Sequence, residues 1–416
     1  MQNIKLLISL LNILIGTIII MIKILTVSFY YTNESKGGAA KSFLNIVENL
    51  KSVKEFDVES FTLKIKRRLF NPFDILLYLS FTKILLKINK FKPQIIITQT
   101  GAAFSTIFAA RIKKIPVINI IRDTHLICPK KADIIDYGVS CKALIDKKTC
   151  YKCINYWRSL RILIGNRPNG WQKNYKANIS TIGYKIRYFI CKLNIFIFNQ
   201  STLNLVASNL MKSFLSNQID PKKLKIINIT PIKRKELNRK IEKKNQLIFM
   251  VPSYNPSHKG LNFVLRLSRK LSENYKILIV GNKLTKEVLA KGNESKIINL
   301  GHVKKDRLDE LYKESIVTLV PSFVNEAFGR IIIESLLNGT QVISSPNCGA
   351  TFFFENKNFI QQQPLKLNLW IRALTEIIND PYKITEEDVG AIYEKFSMEK
   401  NRTDFLNLIK STLTRS

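Results

Sequence analysis

A chain of 416 residues is longer than one hydrophobic core usually organises, so two domains are expected. Its 46% hydrophobic content excludes disordered and fibrous classes. Lys and Arg number 66 against 31 acidic residues, a net charge of +35 that implies an anionic partner and leaves phospholipid and nucleic acid both open.

Residues 6–22 are apolar except for Ser9, Asn12, Gly16 and Thr17, and lie between Lys5 and Lys23. A run of this length sits at the lower limit for a spanning helix, and no small-residue cleavage site follows it. The first strand begins at once, with no spacer, so residues 1–21 read either as a single anchor or as an upstream extension. If the segment spans, the excess of Lys and Arg behind it keeps the body cytoplasmic.

From residue 22 short apolar runs alternate with amphipathic stretches, the pattern of a wound α/β domain. Residues 24–28 read as a strand, Gly37 and Gly38 as a turn, and residues 39–50 as a helix. A glycine pair between strand and helix lets backbone amides approach a phosphate or sugar, although such pairs also mark ordinary loops. Further strands are expected at residues 95–98 and 117–121. Arg122, Asp123 and His125 stand just past the latter, at the strand end where open parallel sheets hold ligands. Arg122 suits an anionic group of a ligand, and His125 either hydrogen-bonds a ligand or is simply a packed side chain. Cys128, Cys141, Cys150 and Cys153 follow, as a structural zinc site or as reduced, unligated thiols.

Residues 155–200 mix aromatic and basic side chains, among them Trp157, Trp171, Lys185, Arg187, Tyr188 and Phe189. That mixture fits a membrane interface, nucleic-acid stacking, or a helix with an aromatic core face and solvated cations. Residues 203–207 read as a strand, Ser208 opens a helix, and residues 225–232 supply the last strand of a first domain spanning 22–232. The charged run 233–245 is the expected linker.

A second α/β unit spans 246–385, beginning with a strand at 247–251. Lys259 and Gly260 then stand directly before a helix, where an ammonium beside a helix N-terminus suits a diphosphate. Strands at 276–281 and 297–303, the latter containing Gly301, precede a helix at 306–313. Residues 317–320 form a buried-type strand ended by Pro321 and Ser322. Gly329 permits close backbone approach, and residues 331–337 form a helix. Glu326 thus lies in the loop and Glu334 two turns into the helix, about 12 Å further on, a spacing that suits an elongated ligand. Gly339 stops the helix and residues 341–344 start the next strand. A helix at 398–413 lies within a closing region, 386–416.

Pro321, Ser322, Glu326, Phe328, Gly329, Glu334, Gly339, Val342 and Ile343 together resemble the donor-site signature of glycosyltransferase family four, retaining enzymes of the GT-B fold. The resemblance implies an α/β protein of two Rossmann-like, doubly wound domains facing a central cleft, with a C-terminal helix crossing back. It implies that Glu326 contacts hydroxyls of the transferred sugar and Glu334 the ribose. Lys259 would meet the diphosphate, the Gly37–Gly38 loop would face the cleft, and the loop at Gly301 would abut the base. Two departures stand out. Pro252 and Ser253 replace a Gly-Arg pair, and Arg330 is read as the substitute cation. When the chain is aligned on Cys128 and Pro129, Arg122 takes the place of a family His, Asp123 keeps its own, and His125 falls on an aromatic position. Cysteine-bearing inserts occur in one branch of the family.

The function implied is transfer of a sugar from a nucleotide diphosphate sugar to a glycan or lipid-linked acceptor, as in surface-polysaccharide assembly. Fixed cations lower the barrier by stabilising charge on the departing diphosphate. Lys259 and Glu326 would act on the donor, with Arg122, Asp123 and His125 on the acceptor side; Phe328, Gly329 and Arg330 complete the donor set. No cofactor is required beyond the nucleotide sugar as co-substrate, a structural zinc apart. An anionic membrane surface is the expected partner, nucleic acid is not, and the expected location is the cytoplasmic face of the inner membrane. Two alternatives remain: a noncatalytic GT-B subunit that binds sugar nucleotide, and a basic nucleic-acid-binding protein.

Overall fold

Strands that are apolar along their whole length, instead of alternating, belong in sheets covered on both faces. The computed structural model describes residues 21–30, 38–64, 80–122, 126–128, 150, 181–229, 231–232, 241–251, 259–354 and 357–414, and in them the chain builds two such sheets. The first has the order β2-β1-β3-β4-β5-β6, from β1 (Ile22–Tyr30), β2 (Phe56–Lys64), β3 (Ile95–Gln99), β4 (Val117–Ile120), β5 (Leu203–Val206) and β6 (Leu224–Ile226). Every residue of β3, β4 and β5 is buried. The second has the order β12-β11-β10-β7-β8-β9, from β7 (Lys244–Val251), β8 (Lys276–Gly281), β9 (Ile297–Gly301), β10 (Ser315–Val320), β11 (Gln341–Ser344) and β12 (Ile360–Gln362). All pairings in both sheets are parallel.

Helices cover both faces. On the first sheet, α2 (Phe81–Phe91), α3 (Thr100–Ile112), α4 (Thr181–Asn199) and α5 (Asn209–Leu215) share one apolar layer built from Ile84, Ile107, Phe198 and Met211. The opposite face carries α1 (Gly38–Lys51). On the second sheet α6 (Leu261–Ser268) and α10 (Leu367–Asn379) pack together around Trp370, whose ring meets Phe263 edge-on at 5.1 Å. The short α7 (Lys286–Leu289) follows β8, and α8 (Lys305–Glu314) seats Leu311 and Tyr312 on β7 and β8. Helices α9 (Arg330–Leu336), α11 (Glu386–Phe396) and α12 (Met398–Leu413) join α1 in one continuous apolar cluster running from Ile24 and Phe43 to Ile332, Phe396 and Phe405.

That cluster exists because the chain returns. Ile232 donates its amide to Phe396 O at 2.9 Å and bridges Ser397, so the end of α11 is tied to the exit of the first domain. Asn49 of α1 then donates to Met398 O (2.8 Å) and Asn401 Oδ1 (2.9 Å), and Lys410 pairs with Glu55 at 2.7 Å. The expected C-terminal crossing is therefore present, with its helix at the expected residues.

Some expectations were incomplete. The strand expected at 225–232 stops at Ile226, because the next backbone groups are used elsewhere: Ile229 O accepts from the Ser42 hydroxyl and from Arg122. Strand β2 and helix α2 have no counterpart in the sequence reading. Residues 1–20, Gly37, Asp123, His125, Cys141, Cys153, Trp157, Trp171, Pro252 and Ser253 lie outside the described residues. Among those described, no helix is long and apolar enough to cross a membrane.

Candidate active site

In the second sheet the chain winds outward from β7 through β8 to β9, then returns to lay β10 on the other side of β7. The strand order therefore reverses between the neighbouring strands β7 and β10, and such a point is where open parallel sheets hold ligands. Lys259 follows β7 and Glu326 follows β10, and their side chains meet there: Lys259 Nζ lies 2.8 Å from Glu326 Oε1. Both are largely withdrawn from water, with side chains 23% and 12% exposed, so the pair is screened less than a surface ion pair.

Two glycines make this meeting possible. Gly260 caps α6 at φ +89, and a Cβ there would sit 2.2 Å from Pro321 O. Only glycine lets the Lys259 turn lie against the end of β10. Gly329 opens α9 at φ +91, where the constraint is the dihedral and not space, since a Cβ would meet nothing closer than 3.5 Å. The Glu326 backbone is clamped by a parallel bridge to Cys348: its amide donates to Asn347 O (2.7 Å) and its carbonyl accepts from Gly349 N (3.0 Å). Cys348 is fully buried beneath, and burial, then the charge of Glu326, pushes its thiol far above the ordinary value. It stays protonated and inert.

Phe328 is buried. It packs edge-on against Phe353 at 6.0 Å and Phe396 at 5.3 Å, and so anchors the loop that carries Glu326. Arg330 pairs with Glu334 one helical turn along, Nη2 to Oε1 at 3.2 Å, and Lys305 approaches the other carboxylate oxygen at 4.0 Å. Arg330 is thus aimed at the second glutamate. Tyr312, fully buried nearby, is held neutral first by burial and then by the charges of Glu334 and Asp309. Gly301 closes β9 at φ +68, at the C-terminal end of a strand two places from β7.

On the first domain, Arg122 stands at the end of β4. It donates from Nε to Gln99 Oε1 (3.0 Å), and from Nη1 to Ser42 Oγ (3.0 Å) and Ile229 O (3.1 Å). These bonds staple β3, α1 and the segment after β6. Gly38 is the first residue of α1. Cys128 and Cys150 are half-buried.

The domains touch at the site itself. Ser208 accepts from Met211 N at 3.3 Å as the cap of α5, and its hydroxyl donates to Ala327 O at 2.7 Å, between Glu326 and Phe328. Gly349 lies in the same contact, where a Cβ would fall 2.3 Å from Ser208 Oγ and 2.4 Å from Ala327 O. Sequence reasoning placed Ser208 at a helix start but missed this second role, as it missed Lys305, Cys348 and Gly349. The turn residues around Asn347 were the only local signal.

Comparison with known proteins bears on this half of the chain first. The sequence profile described as glycosyl transferases group 1 matches residues 232–395, a stretch that contains Lys259, Glu326 and Glu334. An uncharacterized glycosyltransferase of Methanocaldococcus jannaschii is 27% identical over 163 residues, covering 36% of this chain and 42% of that protein. The match thus spans less than half the length of that relative. Among solved structures, sucrose-phosphate synthase from Thermosynechococcus elongatus superposes with a TM-score of 0.62 at 14% identity, over 95% of this chain and 100% of that one. Anabaena HepE in complex with UDP gives 0.60 at 14% identity, over 94% and 100%. The apo form of the lipopolysaccharide outer core galactosyltransferase WaaB gives 0.62 at 12% identity, over 94% and 99%. With the two wound parallel sheets, these likenesses show the GT-B fold.

Proposed function

We propose that the protein is a glycosyltransferase that moves a sugar from a nucleotide diphosphate sugar to a glycan or lipid-linked acceptor, with retention at the anomeric carbon. The observation that carries the reading is the Lys259–Glu326 pair at the switch point of the second sheet. It lies inside the region matched by the glycosyl transferases group 1 profile, and UDP is the ligand of the similar Anabaena protein.

In this reading the diphosphate takes over Lys259, which stands at the N-terminal end of α6 where backbone amides also favour an anion. Glu326, released from its partner, receives the sugar hydroxyls. As the bond between anomeric carbon and phosphate oxygen lengthens, charge grows on the leaving diphosphate, and a cation fixed beforehand stabilises it without reorganising. Glu334 receives the ribose hydroxyls with its carboxylate already oriented by Arg330. The acceptor enters from the first domain, whose Arg122 is held at the end of β4; Asp123 and His125 are assigned to the same side. Surface-polysaccharide assembly at the cytoplasmic face of the inner membrane is the setting that fits a chain of +35.

The test is a panel of nucleotide sugars scored for thermal stabilisation and then for release of the nucleoside diphosphate. A donor that binds the native state raises its apparent stability. The expected result is stabilisation by one donor class, lost in Lys259→Ala and Glu326→Ala. Stabilisation without turnover on any acceptor would make the protein a noncatalytic sugar-nucleotide-binding subunit instead.

A further inference from the structure

The outer surface of the layer formed by α2, α3 and α4 is apolar and cationic, and no carboxylate belongs to any of the three helices. Inward, α4 buries Ile195, Ile197 and Phe198 in the core beneath. Outward, Ile186, Phe189 and Phe196 are 40%, 66% and 61% exposed, and their spacing places them within one face of the helix. A helix that is apolar on both sides needs an apolar neighbour on both. Phe108 and Ile112 of α3 and Leu86 of α2 are exposed as well. Helix α3 packs between α2 and α4, and the rings of Phe81 and Phe108 meet edge-on at 5.2 Å.

Cations surround it. Lys83, Lys185 and Lys192 are exposed, and Lys192 Nζ leans over the Tyr188 ring at 5.8 Å. With Lys185, Arg187 and Lys192 along its length, α4 does not qualify as a span; its geometry is that of a helix lying on an interface.

We propose that this face docks the protein on an anionic phospholipid bilayer. Phe189 and Phe196 enter the boundary between head groups and acyl chains, while Lys185 and Lys192 meet lipid phosphates. A second copy of the chain is a poor occupant, because none of the three helices carries a carboxylate to meet the cations of its partner. Nucleic acid fits less well too, since Leu86, Ile112 and Ile186 offer no ring on which a base stacks. The inference deepens the proposed function by naming where a lipid-linked acceptor is met. It rests on that reading for its purpose alone, because vesicle binding needs no donor.

The experiment measures partition of the full chain between buffer and vesicles of phosphatidylcholine, with and without phosphatidylglycerol. Binding is expected to require the anionic lipid. Each cation near such a surface accounts for about fivefold in partition, so Lys185→Gln with Lys192→Gln loses about 30-fold. Phe189→Ser with Phe196→Ser is expected to lose more than about tenfold. The lysines are exposed, so their double variant folds, and its unchanged melting temperature confirms this. Phe196→Trp supplies a local readout independent of residues 1–21: brominated acyl chains quench the added indole. Unchanged partition in both double variants together with no quenching overturns the proposal. So does a dimer broken by the same variants without vesicle binding, or a preference for RNA over anionic vesicles. Vesicle binding that depends on these residues, in a protein that no nucleotide sugar stabilises, supports the docking face and counts against sugar transfer alone.

Discussion

Three outer helices of the first half and two of the second carry opposite charge on the same scaffold. Helices α2, α3 and α4 hold Lys83, Lys87, Lys90, Arg111, Lys185, Arg187 and Lys192 with no acid among them. Helices α8 and α11 hold Asp306, Asp309, Glu310, Glu314, Glu386, Glu387, Asp388 and Glu394. On α8 the acids are neutralised along the helix, Lys305 with Asp309 at 2.9 Å and Arg307 with Glu310 at 2.7 Å. That is how a helix face meets water. The first half therefore offers a cationic, partly apolar surface, and the second a surface whose charges are balanced along α8. Net charge alone averages these two into one number and hides the division.

The sharpest way to break this division of labour is to act on the second half alone. Lys259→Ala and Glu326→Ala are each expected to lower sugar transfer by about 10²–10³, the usual cost of removing one preorganised charge-stabilising group, while vesicle partition stays as in the parent. Nucleoside diphosphate release and vesicle co-sedimentation on the same preparations check both arms. Equal loss of partition would mean that the two halves do not act separately.

How much of this arrangement the sequence disclosed depends on the range of the interactions involved. Lys259 and Glu326 were legible because each follows a largely apolar run, and neighbouring parallel strands place their ends side by side. Helix α12 was legible from its own spacing. Strand β2 was not, since as the edge of its sheet it carries Asp57, Glu59, Ser60 and Thr62 and lacks the buried run that marked the others. The contact of Ser208 with Ala327 was invisible for a different reason. Its partners lie 119 residues apart and belong to different sheets, so no local pattern announces it. Phe328 shows what a motif leaves unsaid: its ring packs against Phe353 and Phe396, a contact across the fold that no local spacing announces.

The contacts that hold the halves together should yield intermediate effects. Gly349→Ala puts a methyl against Ala327 O and Ser208 Oγ, and because the carbonyl is backbone the loop itself must shift. Overpacking of this kind costs up to about 3 kcal/mol. Chemical denaturation should show that loss, and donor-induced stabilisation should fall with it because the displaced loop carries Glu326. Between α1 and the crossing helix, Asn49→Ala removes the donor that Met398 O and the buried Asn401 Oδ1 share. Leaving buried acceptors unmet costs about 2 kcal/mol, with donor affinity preserved, since this contact touches the crossing helix and not the loops that carry Lys259 and Glu326. Reduced donor affinity in Asn49→Ala would show that the crossing helix sets the geometry of the site.

Gly390→Ala is the mildest change and isolates the backbone. Gly390 lies inside α11, and a Cβ built there meets nothing within 4 Å. Helix interiors favour Ala over Gly by about 0.5–1 kcal/mol, mainly because glycine has more conformational freedom to lose on folding. The variant should therefore gain stability by about that amount, read as a higher denaturation midpoint with an unchanged slope. Helix α11 leads straight into Ser397 and the crossing helix, so the gain falls on the segment that ties the halves together. Sugar transfer and vesicle partition should both stay as in the parent. A stabilised α11 that slowed transfer would place the motion that limits transfer in this tie between the halves and not in the loops that carry Lys259 and Glu326.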